Sequence, residues 1–298
     1  MNVVVFDVGG THVSAGLVRD GSMELQGRCT MPLDADASRE KILGAFAELA
    51  LAVLGKCHAG VSQLTGLSFA IPNPFDYEEG TSLMRHKYAS LYGVNVRREL
   101  ALRFDIEPRS VCFVNDACAF LIGEASKGAA VGAKRAVGIT LGTGLGSAFM
   151  VNGRIVTEGE GVPNGGYIWN IPREASIVED FISTRGIQRL YRERGGEDIS
   201  VLEIATRSNA EPRAYEVMQQ FGAVLGTVLS QVCAPFRPDV IVLGGAISRS
   251  AGLFLPAAIA QMSGMESQPK VSALFEDAAL VGAAVSWYVS QRCPIAVS

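Results

Sequence analysis

The sequence predicts an α/β protein built from two duplicated α/β units with a cleft between them. Three observations carry this. The order strand, glycine turn, strand, Asx-Gly, strand occurs twice, once from Asn2 and again from Ala136. The step from Thr11 to Gly21 is ten residues, as is the step from Thr143 to Gly153, so Asp20-Gly21 corresponds to Asn152-Gly153. In both halves apolar strands then alternate with helical patterns, the mark of a layered α/β architecture. A chain of 298 residues suits two domains. They are expected at 1–115, joined by a closing helix at about 278–298, and at 116–277. No low-complexity linker separates them.

Asn2 to Val8 reads as a buried strand, β-branched and continuous, and Gly9-Gly10-Thr11 as a turn. Val13, Ala15 and Leu17 alternate with His12, Ser14 and Gly16, the period of a strand. Asp20-Gly21 is a hairpin signal because both residue types tolerate positive φ. A third strand is expected around Met23 to Arg28. Ser38 is placed to cap a helix carrying Ile42, Phe46, Leu49 and Val53 on one face. Gln63 to Ile71 reads as a strand ended by Pro72-Asn73-Pro74, Val94 to Phe104 as a helix, Ser110 to Val114 as a buried strand and Asp116 to Ser126 as the helix after it.

The second half repeats the plan. Ala136 to Leu141 is a strand, Gly142 to Gly146 a turn, Ala148 to Val151 a strand, Asn152-Gly153 a hairpin and Arg154 to Val156 a third strand. Tyr215, Met218, Phe221, Leu225, Val228, Leu229 and Val232 share the face of a long helix that Pro235 ends. Asp239 to Leu243 is a strand, Gly244-Gly245-Ala246 a turn and Ala278 to Tyr288 a closing helix.

Composition narrows the chemistry. Hydrophobic residues make up 48% and charged residues 19%, enough for a large core. The net charge of −4 gives no argument for nucleic acid or an anionic membrane as partner. Six scattered cysteines form no Cys-x-x-Cys pair, and only three histidines are present, which points to reduced thiols and no clustered metal site. Met1 leads directly into an apolar strand without a basic leader, and no apolar run reaches the ~20 residues of a membrane span. The expectation is a cytoplasmic protein.

Gly142-Thr143-Gly144-Leu145-Gly146 is followed by a strand, so it fails as a dinucleotide fingerprint, and it lacks the lysine of a P-loop. Either glycine turn alone reads as an ordinary hairpin. Two equivalent turns suit a triphosphate gripped from two sides, since backbone N–H groups in tight turns form anion nests and Thr11 and Thr143 add hydroxyls. Asp7, at the end of a buried strand, is costly unless a cation is near, which fits Mg²⁺ held mainly by phosphates and water; an Asx turn is the bland reading. Asn115-Asp116, between strand and helix, reads as an N-cap by position and as a general base by chemistry, because phosphoryl transfer to an alcohol needs a group that orients and deprotonates the hydroxyl. Glu179-Asp180 suits two sugar hydroxyls and a surface helix start equally well. His12 either donates to phosphate or points outward.

Asp7-Val8-Gly9-Gly10-Thr11, Asn115-Asp116-Ala117, Leu141-Gly142-Thr143-Gly144 and Val242-Leu243-Gly244-Gly245 occur in the order of the ROK family of sugar kinases, which the chain resembles over essentially its whole length. The resemblance implies two actin/hexokinase-like (ribonuclease H-like) domains with ATP and sugar in the cleft. It implies ATP-dependent phosphorylation of a sugar hydroxyl, on a hexose or N-acetylhexosamine as in glucokinases, with Mg²⁺ as cofactor, in a homodimer. The two glycine turns would contact phosphates, and Gly244 and Gly245 would lie by the nucleotide. Asp116 would be the base, and Asn115 and Glu179 would bind sugar.

Two departures from the family pattern stand out. In Gly166-Tyr167-Ile168-Trp169-Asn170, Tyr167 stands where the family has a sugar-binding Glu and Asn170 where it has a His. No histidine follows His86. The cysteine-rich zinc segment is missing as well, so no structural zinc is expected. The region near His86-Lys87-Tyr88 also lacks the family's sugar-binding Asn. A phenol offers no acceptor pair for two hydroxyls, which leaves the sugar open. The alternative is a catalytically weak, sugar-sensing pseudokinase or regulator of the same family.

Overall fold

The computed structural model describes residues 1–19, 22–262 and 264–292. The chain divides into two compact units, Met1–Ser126 with Glu276–Ser298, and Lys127–Phe275. The first holds strands β1 (Asn2–Val8), β2 (His12–Arg19), β3 (Leu25–Pro32), β4 (Leu64–Ile71) and β5 (Val111–Asn115), with helices α1 (Arg39–Lys56), α2 (Val96–Phe104) and α3 (Asp116–Lys127) between or after them. The second holds β6 (Arg135–Leu141), β7 (Leu145–Val151), β8 (Arg154–Val156), helices α4 (Thr184–Glu193), α5 (Val201–Arg207) and α6 (Pro212–Cys233), then β9 (Val240–Gly244), α7 (Ala251–Ala260) and β10 (Pro269–Val271). Helix α8 (Asp277–Arg292) returns to the first unit.

The duplication is explicit in the sheets. Their strand orders are β3-β2-β1-β4-β5 and β8-β7-β6-β9-β10. In each, the first three strands form an antiparallel meander and the last two lie parallel to the first. Parallel neighbours need crossovers, which α1, α2, α6 and α7 supply.

In the first unit, Val4, Phe6 and Val8 face α1 and α2, where Phe6 and Phe69 stack with ring centroids 4.2 Å apart. Val3 and Val5 face the other way, against Ala119 of α3 and Leu280, Ala283, Ala284 and Trp287 of α8. A strand buried on both faces reads as a continuous apolar run, as β1 does. The division between units follows α3 rather than preceding it, because α3 and α8 touch backbone to backbone, Gly123 against Ala278 and Gly282 against Ala119. In the second unit, α6 lies along α7 and both join the core built on Val137, Ile139 and Leu141.

Several boundaries differ from expectation for local reasons. Strand β3 runs to Pro32 because it pairs with β2 as far as His12, and a register shift lies between Ala15 and Leu17. Helix α2 starts at Val96 because Asn95 caps it, Oδ1 accepting the Arg98 amide at 2.9 Å. Ser38 occupies the N-cap of α1 but its side chain makes no capping bond. Strand β7 begins at Leu145, which pairs with Leu141 across the turn. Tyr215 is exposed on α6, and Ala214 and Val217 take the buried face. Asn152 and Gly153 both have positive φ, the conformation a two-residue hairpin needs; Asp20-Gly21 lies outside the described residues.

Candidate active site

In the first unit the site forms at the carboxyl ends of β1 and β5. Asp7 is the penultimate residue of β1, half-buried, with Gly10, Thr11 and His12 exposed just beyond it. The Gly9 amide donates to the His12 carbonyl at 3.0 Å, Leu33 N–H donates to Thr11 O at 2.9 Å, and Thr11 Oγ1 lies 3.2 Å from His12 Nδ1. The turn is therefore held from within and from the end of β3. A third hold comes from Tyr88, whose hydroxyl donates to the Gly9 carbonyl.

Asn115 and Asp116 divide the roles that their position leaves open. Asn115 is the cap: its Oδ1 accepts the Cys118 amide at 3.1 Å and its Nδ2 donates to Tyr77 Oη at 3.3 Å. Asp116 opens α3, with Oδ1 accepting its neighbour Ala117's amide at 2.8 Å. Burial raises the Asp116 carboxyl above the ordinary range, opposed by that amide and by the charge of Lys87. Burial, and then repulsion from Asp116, push Asp7 up to about 7, with Arg28 pulling the other way. Two carboxylates close enough for Asp116 to raise Asp7, beside an exposed glycine turn, suit a divalent cation and phosphate together. At Gly10 nothing stands within 4 Å of where a Cβ would be, so a ligand can approach the backbone there. Among the described residues, no cluster of three or more His, Cys, Asp or Glu forms a metal site. The residues thus fit Mg²⁺ carried mostly by phosphate oxygens and water, with Asp7 and Asp116 as the nearby charges.

In the second unit the site forms where β6 and β9 end. The turn Gly142–Gly144 is closed by the Gly142 amide donating to Gly144 O at 3.1 Å. The start of α4 grips it: Thr184 donates to the Gly142 carbonyl from its amide at 2.8 Å and its hydroxyl at 3.0 Å. Glu179 grips the other side, with Oε2 accepting the Leu145 amide at 2.9 Å. A Cβ on Gly144 would stand 2.7 Å from that same Oε2, so a side chain there would displace the Glu179 carboxylate. Arg185 bridges the acidic pair, reaching Glu179 Oε1 at 2.8 Å and Asp180 Oδ1 at 2.7 Å. The Ser176 hydroxyl also donates to Asp180, and these bonds hold the Asp180 carboxyl below its usual range. Gly245, at φ +79, faces Leu141, where a Cβ would meet the carbonyl at 2.3 Å, so the end of β9 lies directly on the turn. Gly244 is buried in β9, paired with Thr140; Thr143 is exposed at the tip of the turn.

The Gly166–Asn170 stretch joins this cluster through its backbone. Glu179 N–H donates to Trp169 O at 3.0 Å and Val178 N–H to Ile171 O at 2.9 Å. Ser147 supplies the scaffold, its Oγ donating to Gly166 O at 2.7 Å and accepting the Ile168 amide at 3.0 Å. The Tyr167 ring packs over Gly165, and Asn170 is exposed.

Each unit thus gathers its own share of the expected residues: Asp7, Gly9–His12, Asn115 and Asp116 in the first, and Gly142–Gly144, Tyr167, Asn170, Glu179 and Gly244–Gly245 in the second. Sequence reasoning missed Tyr77, Tyr88, Thr184 and Arg185. Only Arg185 carried a signal, its i, i+6 spacing to Glu179 at the start of a helix. Tyr88 lies 79 positions from the Gly9 it holds, and no local pattern announces that.

Comparison with known proteins gives a consistent picture. A family model described as "ROK family" matches residues 3–289. An N-acetyl-D-glucosamine kinase of Photobacterium profundum is 25% identical over 279 residues, covering 86% of this chain and 88% of that protein. In fold, the chain is similar to a ROK hexokinase from Thermus thermophilus, with a TM-score of 0.78 at 23% identity, covering 98% of this chain and 99% of that one. It is equally similar to a ROK family glucokinase from Streptomyces griseus, solved in complex with glucose and AMPPNP, with a TM-score of 0.79 at 20% identity and coverage of 96% and 99%.

Proposed function

Because the chain belongs to the ROK family, with the fold of the actin- and hexokinase-type ATPases, we propose that it is a sugar kinase that transfers the terminal phosphoryl group of ATP to a hydroxyl of a hexose or N-acetylhexosamine. The observation that carries this reading is Asp116, half-buried at the start of α3 just beyond β5, within electrostatic reach of Asp7 and Lys87. A base for an alcohol must be held in place, must be ionised at working pH, and gains strength as a proton acceptor when burial raises its affinity for the proton. Asp116 is held by the Ala117 amide, and burial raises its affinity for the proton. Its carboxylate takes the proton of the sugar hydroxyl as that oxygen bonds to phosphorus, and the bond to the ADP oxygen breaks.

The remaining residues position the two substrates. The amides and hydroxyls of Gly9–His12 and Gly142–Gly144 are assigned to ATP phosphates, Gly244 and Gly245 to the nucleotide, and Asn115, Tyr167, Asn170 and Glu179 to the sugar. Mg²⁺, when bound, supplies charge neutralisation to the phosphates. Glu179 has a double duty in this scheme. Its bonds to Leu145 and Arg185 hold the turn, and its remaining lone pairs serve hydroxyls. A homodimer goes with the same family reading. No helix among the described residues is long and apolar enough to cross a membrane.

The test is a panel of hexoses and N-acetylhexosamines assayed for ADP release with ATP and Mg²⁺. At least one is phosphorylated, and Asp116→Asn lowers kcat by about 10²–10⁴-fold while leaving the thermal midpoint close to that of the parent. Full turnover by that variant removes Asp116 from the role of base.

A further inference from the structure

The chain has two tryptophans, and their surroundings are opposite. Trp287 is buried, with Nε1 donating to Ser110 O at 2.8 Å. Trp169 is 39% exposed, and its indole makes no hydrogen bond or ring contact with a described residue. An exposed aromatic alone carries no meaning, since apolar atoms supply much of any folded surface. What matters here is how Trp169 is mounted. Its carbonyl is bound by the Glu179 amide, its neighbour Ile168 is buried in the core with its amide on Ser147, and Ile171 is tied to Val178. The backbone on both sides is clamped, so Trp169 is mounted on fixed backbone paired with that of Glu179 rather than carried on a free loop. Tyr167 and Asn170, its neighbours in the same stretch, are uncharged.

We propose that Trp169 is a stacking platform for the acceptor, its indole lying against the C–H face of a neutral pyranose whose hydroxyls bond to Glu179 and Asn170. A pyranose has a polar edge and an apolar face. Carboxylate and amide groups suit the edge, and an exposed aromatic ring suits the face, because its negative π-surface attracts the slightly positive C–H groups while both surfaces leave water. A ligand site combines a few placed polar groups with an apolar wall, and Trp169 supplies the wall that Glu179 and Asn170 lack. This inference rests on the sugar-kinase reading above and adds to it a residue for ring recognition.

The test uses the full chain. Tryptophan emission is followed while N-acetyl-D-glucosamine or glucose is added, and phosphorylation of each is measured with ATP and Mg²⁺. Sugar produces a saturable emission change that Trp169→Phe abolishes, since Trp287 is buried in the other unit. KM for the preferred sugar rises about tenfold in Trp169→Ala and less in Trp169→Phe, which keeps a ring, with kcat changing less than KM. Phosphorylation with KM in Trp169→Ala within twofold of the parent overturns the stacking role alone. If no hexose or N-acetylhexosamine of the panel is phosphorylated and none alters emission, the sugar-kinase reading falls and the platform with it.

Discussion

Asp7 lies near the end of β1 and Asp116 opens α3, yet the charge of Asp116 is felt at Asp7. For Asp7 the consequence can be signed. An unfolded aspartate titrates near 3.8, and in the fold Asp7 is pushed up to about 7. Below pH 4 both states hold the proton and nothing is gained or lost. Between 4 and 7 the unfolded chain releases a proton that the folded chain retains, so stability falls as pH rises across that window. Asp7→Asn removes the carboxylate at little change in shape. In metal-free buffer its urea midpoint should match the parent near pH 4 and exceed it near pH 8. A difference that stays constant with pH would count against burial and Asp116 as the causes. Five buried apolar residues of β1 announce themselves in the sequence, and a carboxylate near the end of such a run is legible as a charge in need of a partner. That its neighbour is Asp116 was not legible, because parallel strands bring together residues far apart in the chain.

At the scale of elements, the repeated meander was readable because β-branched runs, glycine turns and Asx-Gly pairs are local signals. The equal ten-residue steps concealed a difference. Four residues separate the paired Val8 and Val13, whereas three separate Leu141 and Leu145. The shorter turn has less backbone to hold itself, and it is the one clamped by Thr184 and Glu179. Those clamps come from the first residue of α4 and from the short turn before it, and the sequence left Glu179 evenly divided between sugar ligand and helix start because side-chain partners 34 residues apart leave no periodic trace. The clamp makes a sharp prediction. Gly144→Ala puts a methyl group 2.7 Å from Glu179 Oε2, so the carboxylate must withdraw from Leu145. Overpacking of this kind costs about 1–3 kcal/mol. KM for ATP should rise along with the loss of thermal stability. An unchanged KM would separate the turn from nucleotide binding.

Considered as a whole molecule, the chain closes its first unit with its last helix. Leu280, Ala283, Ala284 and Trp287 cover the face of β1 that Val3 and Val5 present, and Ser68 Oγ donates to Ala283 O at 2.7 Å inside that layer. The closing helix was visible in the sequence as an apolar stretch with small residues at its start, and its membership of the first unit was expected, but the reason for the small residues emerges only from the contact with α3. Deleting residues 277–298 should expose that face and leave an aggregation-prone product, while the second unit keeps its own sheet; limited proteolysis should then yield a resistant fragment close to residues 127–275. During synthesis this topology sets an order of events. The ribosome releases every residue of the second unit before α8 emerges, so a nascent chain completes its later-coded half first and holds its earlier half unfinished until α8 has followed. A chain stalled before α8 would therefore carry Asp7, Asp116 and the Gly9–His12 turn on a sheet with one bare side, which makes the finished surroundings of both carboxylates depend on a helix coded after the whole second unit.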